Sequence, residues 1–251
     1  MGPVEVDRIR IGTAGWTIPR QFAMGFPTAG HSLERYSSVF DAVEINSTFR
    51  RSHKPATLVR WITSTPDNFR FAIKMPKSIS HELRLVGAEN QIVNFVSETS
   101  CFGNKLGPLL LQLPPSLAYE RTIVEAFFKL ARSHVSHDLV CEPRHPSWFE
   151  GEADELLASY AVTRVAADPA RAPIAARPGG NPNLVYYRLH GSPRTYYSSY
   201  EPENLSRLSR EIAEAQAEEV WCIFDNTASG AAAGNAIDIK NRLQVRHGDR
   251  I

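Results

Sequence analysis

The sequence predicts an α/β fold, a single-domain (β/α)8 TIM-like barrel with an irregular sixth β-to-β connection. Three patterns lead there: about eight short apolar runs of strand length, helical spacing in most segments between them, and polar residues at the late end of nearly every run. Strands that alternate with helices pair in parallel through right-handed crossovers, and eight such units suit a chain of 251 residues. An open doubly wound sheet is the alternative. Its dinucleotide fingerprint is missing from "GTAGW", and no phosphate-loop motif occurs.

Taken in order, "RIRIG" reads as the first strand. "SLERYSSVF" then places Leu33, Tyr36 and Phe40 at helical intervals behind a serine suited to capping. "AVEIN" is the second strand, and "KPATLVRWITST" puts Pro55 in a first helical turn with Leu58, Trp61 and Ile62 on one face. "FRFAIK", "GPLLLQL" and "DLVCE" follow as strands, separated by the helical patterns "NQIVNFVSETSCF" and "RTIVEAFFKLARSH". After the helical "EADELLASYA", "TRVAAD" is the sixth strand. The proline and glycine in "PARAPIAARPGGNPN" replace the expected helix with a loop. "LVYYRLH", the helical "PENLSRLSREIAEAQA", "VWCIFDN" and the helical "NAIDIKNRLQ" complete the set. One domain over residues 9–243 results, with an N-terminal extension at 1–8 and a C-terminal tail at 244–251.

Lys and Arg number 28 against 27 Asp and Glu, and a net charge of +1 supplies no long-range pull toward nucleic acid or an anionic membrane. Any anion must be held by a local cluster. Cys101, Cys141 and Cys222 are widely spaced and odd in number, which points to a reducing, cytoplasmic setting. The N-terminal stretch lacks a signal-peptide pattern, and no apolar run is long enough to span a bilayer.

Along a barrel strand, alternate residues face the axis, and active sites form at the strands' C-terminal ends. Glu44 shares a parity with Asn46, Glu142 with Arg144, and Arg188 with His190, while Tyr187, Leu189 and Cys141 face the other way. Lys74, Gln112, Asp168, Asp225 and Asn226 end four further strands. Each is also explicable as a cap, turn former or surface charge. Together they describe a polar rim, because charges inside a parallel sheet need partners. Tyr196, Tyr197 and Tyr200 lie on the loop above it.

The blocks "GTAGW", "VEINSTF", "KLGPLLLQLPP", "EPRHPSW", "YRLHG" and "NAIDIKNRL" resemble, in order from Ile11 to Leu243, the family called domain of unknown function 72, or YecE-like. The resemblance implies a (β/α) barrel and leaves the reaction open. Matched by residue, it also marks Trp16, Thr48, His81, His145, Trp148 and Asn235 beside the rim positions. Arg50 stands where the family usually has tyrosine and Asp225 where asparagine is common, which alters charge near the expected site.

Three chemistries fit these residues. In the first, an enzyme acts on an anionic, phosphorylated or sugar-like small molecule. Lys74, Arg144 and Arg188 hold the anion, Glu44, Glu142, Asp168 and His190 move protons, and Trp16 and Trp148 offer ring faces. Asn46, His81, Gln112, Tyr197, Asp225 and Asn226 complete the substrate contacts. In the second, Glu44, Glu142, Asp168, His190 and Asp225 converge on a divalent metal in a hydrolase, isomerase or nuclease. In the third, a groove of Arg50, Arg51, His53 and Lys54 binds single-stranded nucleic acid or a metabolite without turnover. The first is favoured, and substitution of Arg188 or Glu142 is expected to remove binding while sparing the fold. Cofactor and oligomeric state stay open.

Overall fold

The computed structural model describes residues 8–248. Residues 1–7 and 249–251 lie outside the described residues, and with them most of the N-terminal extension, the start of the stretch read for a signal peptide, and the end of the tail. The strands are β1 (Ile9–Ala14), β2 (Ala42–Ile45), β3 (Arg70–Lys74), β4 (Leu106–Gln112), β5 (Leu139–Glu142), β6 (Val162–Arg164), β7 (Ala166–Asp168), β8 (Gly179–Gly180), β9 (Leu184–Leu189) and β10 (Glu219–Phe224). The α-helices are α1 (Ser32–Ser37), α2 (Pro55–Thr63), α3 (Glu89–Thr99), α4 (Arg121–His134), α5 (Ala153–Ser159), α6 (Pro202–Glu214) and α7 (Ala231–Gly248). The last helix runs past residue 243, so the expected domain boundary falls inside it.

The strands follow one another around a nearly closed, mostly parallel barrel in the order β7-β9-β10-β1-β2-β3-β4-β5-β6-β8. "TRVAAD" is one strand in two halves: β6 pairs with β5, β7 pairs with β9, and Val165 is the pivot between them. The ladder therefore parts at this point, while the chain itself carries the wall across.

The sixth connection holds no α-helix. It has a 3-10 turn at Pro173–Ala176 and the short β8, which runs antiparallel to β6. Arg164, 1 % exposed, pins it by donating to Asp154 Oδ1 at 2.6 Å and to the carbonyls of Ile174 and Arg177 at 3.2 and 3.1 Å. Gly180 is required there. Its φ is +69°, and a Cβ would lie 2.3 Å from the Val162 carbonyl oxygen.

Helix starts follow local chemistry. Pro55 occupies the first turn of α2, where a missing N–H costs nothing. At α1 the cap is His31, not the serine: Glu34 accepts from the His31 N–H at 2.8 Å, and Ser32 donates instead to the Trp16 carbonyl.

Alternation sorts the strand residues into two cores. Val43, Ile45, Ile73, Leu109, Cys141, Tyr187 and Phe224 belong to the larger one, between barrel and helices. Ala42, Ala72, Leu110, Val140, Val165, Tyr186, Trp221 and Ile223 form the smaller one inside the barrel. Small residues on β2 and β3 leave room for two stacked rings, Tyr186 and Trp221, with centroids 6.0 Å apart. These rings plug the lower barrel, so polar side chains one step further along the strands are lifted toward the mouth. Among the described residues, no helix is long and apolar enough to cross a membrane.

Candidate functional site

Arg188 on β9 is the centre of the mouth. Its guanidinium, 1 % exposed, meets Glu44 on β2 at 2.8 Å, Glu142 on β5 at 2.9 Å and Asp225 after β10 at 2.9 Å. The Tyr186 hydroxyl donates to the second Glu44 oxygen at 2.8 Å. Burial lowers the Arg188 pKa, but Asp225, Glu44 and Glu142 outweigh it and keep the cation charged. Burial of this residue among three carboxylates argues against the expectation that it can be replaced without cost to the fold.

His190 lies between two carboxylates, with Nδ1 3.0 Å from Asp225 Oδ2 and Nε2 3.0 Å from Glu142 Oε1. Both carboxylates accept, so the geometry suits a proton on each ring nitrogen, that is, an imidazolium. Burial pushes its pKa down, but Glu142 and Asp225 outweigh this and raise it above the ordinary histidine value. Reciprocally, burial raises the Glu142 carboxyl, while His190, Arg188 and Arg144 bring it well below the usual range.

Arg144 donates to Glu142 at 2.8 Å. Burial works against its charge, which Glu142 and the Tyr196 phenol sustain. Lys74 ends β3, donates to Gln112 Oε1 at 2.7 Å and sits 4.3 Å from the centroid of the Phe49 ring. Burial first, then Arg188, brings its pKa down to about 8. Lys74, Arg144, Arg188 and His190 thus face Glu44, Glu142 and Asp225, one cation more than anions. A cleft of about 240 Å³ opens beside the cluster, lined by Glu142, Arg144, Phe149, Arg171, His190 and Tyr196.

The fold brings together Glu44, Lys74, Gln112, Glu142, Arg144, Arg188, His190 and Asp225. Three others follow strands: Trp16 and Asn46 within two residues of the ends of β1 and β2, and His81 in the helical turn Ser78–Glu82 after β3. Asn46 keeps a buried Oδ1 without a hydrogen-bond partner. Half-buried His81 bonds Ser80 and meets the Phe49 ring edge-on at 5.0 Å. Trp16 packs edge-on against Trp61 at 5.0 Å.

Four expected residues go elsewhere. Asp168 points outward, accepts from Tyr200 at 2.9 Å and lines a separate cleft of about 580 Å³ beside α6, where the sixth helix is missing. The alternation in "TRVAAD" carries this signal, since Val165 and Ala167 are the residues that face inward. Trp148 is a core residue, 1 % exposed, with its indole N–H on the Leu117 carbonyl and its ring against Tyr119. Tyr197 is exposed and stacks on Arg194. Asn226 is a latch: its Nδ2 donates to the Ser198 carbonyl at 2.9 Å and to Asn235 at 2.8 Å, tying the tyrosine loop to α7.

Sequence reasoning missed Phe49, Arg171 and Tyr186, and took Tyr197 where Tyr196 faces the cleft. Tyr196 is set by its φ of +69° and its N–H to the His190 carbonyl. No periodic signal reports such a loop position. Tyr186 could have been found, sharing its parity with Arg188.

The metal alternative lacks its ligand set: among the described residues, no group of three or more His, Cys, Asp or Glu is arranged to hold an ion. Arg188 occupies the point on which the carboxylates converge, and Asp168 faces away. Arg50 and Arg51 line a cleft of about 340 Å³ with Lys77, but Glu82 and Glu98 line it too.

Barrel and mouth together define a single-domain TIM-like protein whose strand ends enclose a compact, positively biased cluster. The chain belongs to the family described as protein of unknown function DUF72, whose model matches residues 10–250. It is 32 % identical over 150 residues to UPF0759 protein YecE of Escherichia coli K12, a match covering 59 % of this chain and 53 % of YecE. The chain thus spans about half the length of that relative. With UPF0759 protein YunF of Bacillus subtilis it shares 23 % identity over 95 % of this chain and 96 % of YunF.

Crystal structures of DUF72 family proteins superpose closely. The Thermotoga maritima one has a TM-score of 0.77 at 26 % identity, covering 94 % of this chain and 99 % of that one. An Enterococcus faecalis one has 0.79 at 22 % identity, covering 94 % and 95 %.

Proposed function

We propose that the protein is an enzyme acting on a small anionic molecule, phosphorylated or sugar-like, at the C-terminal mouth of the barrel. The observation that carries this reading is the charge excess of the mouth cluster. Three carboxylates are already paired by Arg188 and His190, so Lys74 and the outer edge of Arg144 retain attraction for an added anion. Asn46, with its unpartnered buried amide oxygen, suits a ligand hydroxyl. Glu142 and His190 border the cleft and share a hydrogen bond, so they are the pair suited to move a proton. The imidazolium is the acid of that pair. Binding without turnover is less well supported, because an anion sink alone has no need of a histidine held between two carboxylates.

The test is a thermal-shift and calorimetric comparison of sugar phosphates with the same sugars lacking phosphate, followed by NMR for turnover. The expected result is stabilisation by the phosphorylated members only, lost in Arg144→Gln. Equal binding of both sets, or stabilisation by single-stranded nucleic acid alone, would overturn the reading.

A further inference from the structure

We infer that Lys74 is a nucleophile that forms an imine with an aldehyde or ketone carrying a phosphate or carboxylate group. This rests on the anion-site reading above and names the reactive function of its substrate.

Lys74 is the odd cation of the cluster. Every mouth carboxylate is engaged by Arg188, and two of them also by His190. The Lys74 Nζ donates instead to a neutral amide oxygen, Gln112 Oε1 at 2.7 Å, and lies over the face of the Phe49 ring in a cation–π contact. Gln112, the Phe49 ring and the fields of Glu44, Glu142 and Asp225 favour the ammonium, but burial and the Arg188 guanidinium outweigh them. Its pKa of about 8 agrees, with burial the largest cause and Arg188 the next. Loss of its proton also leaves the cluster neutral, three cations against three carboxylates. A desolvated lysine beside another cation is the arrangement that activates amines for carbonyl addition.

Its place suits the step as well. Lys74 closes β3 on the inner face, 8 % exposed, and Gln112 ties it to β4. Gln112 is register partner to Glu142, which borders the cleft holding Arg144 and Arg171. The contacts from Lys74 through Gln112 to Glu142 lead from Nζ to the edge of that cleft, and imine formation requires that a short molecule with its anionic group on those guanidiniums bring its carbonyl to Nζ. The ammonium first releases a proton. The nitrogen lone pair then adds to the carbonyl carbon, a proton passes from nitrogen to oxygen, and that oxygen leaves as water with the proton released at the start. A protonated carbon–nitrogen double bond remains, with no oxidant or reductant consumed.

The experiment incubates the full chain with dihydroxyacetone phosphate, or separately with glyoxylate, in the presence of cyanoborohydride, and maps the reduced adduct by peptide mass spectrometry. Binding of each probe is measured in parallel by calorimetry without reductant. The expected result is an adduct at Lys74 exceeding that at each exposed lysine, Lys54, Lys77 and Lys129, by at least roughly tenfold. It is suppressed by inorganic phosphate and absent from Lys74→Arg. Mapping on the unaltered chain makes the result independent of whether that variant folds. Adduct spread over exposed lysines and missing from Lys74 would overturn the inference. If the probes bind while Lys74 stays unmodified, the imine falls and the anion site stands. If neither probe binds nor reacts, both fall.

Discussion

Replacing Lys74 with methionine is expected to stabilise the protein. Lys74 is 8 % exposed and holds its charge at a cost, because burial and Arg188 lower its pKa from 10.5 to about 8. At about 1.4 kcal/mol per pH unit, that gap corresponds to roughly 3 kcal/mol of unfavourable charging at pH 7. Methionine fills a similar volume without the charge. Against this stands the lost hydrogen bond to Gln112, worth about 1 kcal/mol, with Arg188 Nη1 at 3.4 Å as the remaining donor to that oxygen. A net gain of about 1–2 kcal/mol is expected. The sign with pH follows from linkage: between the folded and unfolded pKa the unfolded chain binds more protons, so wild-type stability rises with pH there. The advantage of Lys74→Met should therefore be full below pH 8 and shrink toward pH 10.5. Urea unfolding of both proteins at pH 7 and at higher pH measures it. A variant less stable than wild type at pH 7, or an advantage that does not shrink, would refute the reasoning.

Arg188→Met should act in the opposite direction, because it strands three carboxylates that share one guanidinium. A loss of about 3–5 kcal/mol is expected in urea unfolding, and a change below about 1 kcal/mol would contradict the network. For His190, whose folded pKa is raised, stabilisation is full below its ordinary value near 6.5 and lost as pH rises through the folded value. The difference in stability between wild type and His190→Asn should accordingly fall with rising pH above 6.5, and a constant difference would show an uncharged ring. Gly180→Val, placed at a φ of +69° against the Val162 carbonyl, should cost about 1–3 kcal/mol and raise proteolysis within 169–183. Unchanged cleavage there would contradict the role of β8.

The family membership and the barrel leave the chemistry to the mouth, since one fold hosts many reactions. The mouth of this chain is distinguished by a guanidinium at the point where its carboxylates meet. Asp225 supplies one of those carboxylates and half of the clamp on His190. Replacing it with asparagine leaves the ring nitrogen with a neutral partner, so Asp225→Asn should hold His190 less firmly charged.

By itself the sequence determined the number and order of the main strands, the helices between them and the missing sixth helix. It also put Glu44, Lys74, Gln112, Glu142, Arg188 and Asp225 at strand ends. These properties are local: period-two alternation, helical spacing and the proline–glycine content of "PARAPIAARPGGNPN" act over a few residues and survive in the linear text. Tertiary structure decided the rest. The break of "TRVAAD" at Val165 arises because one segment must serve two neighbours, β5 and β9, that are distant in the chain. Trp148 became core because the Leu117 carbonyl and Tyr119, some thirty residues earlier, close over it. Which charge pairs with which is likewise a matter of geometry. Arg188 and Glu44 stand 144 residues apart and meet at 2.8 Å, and only that meeting leaves Lys74 as the cation without a carboxylate.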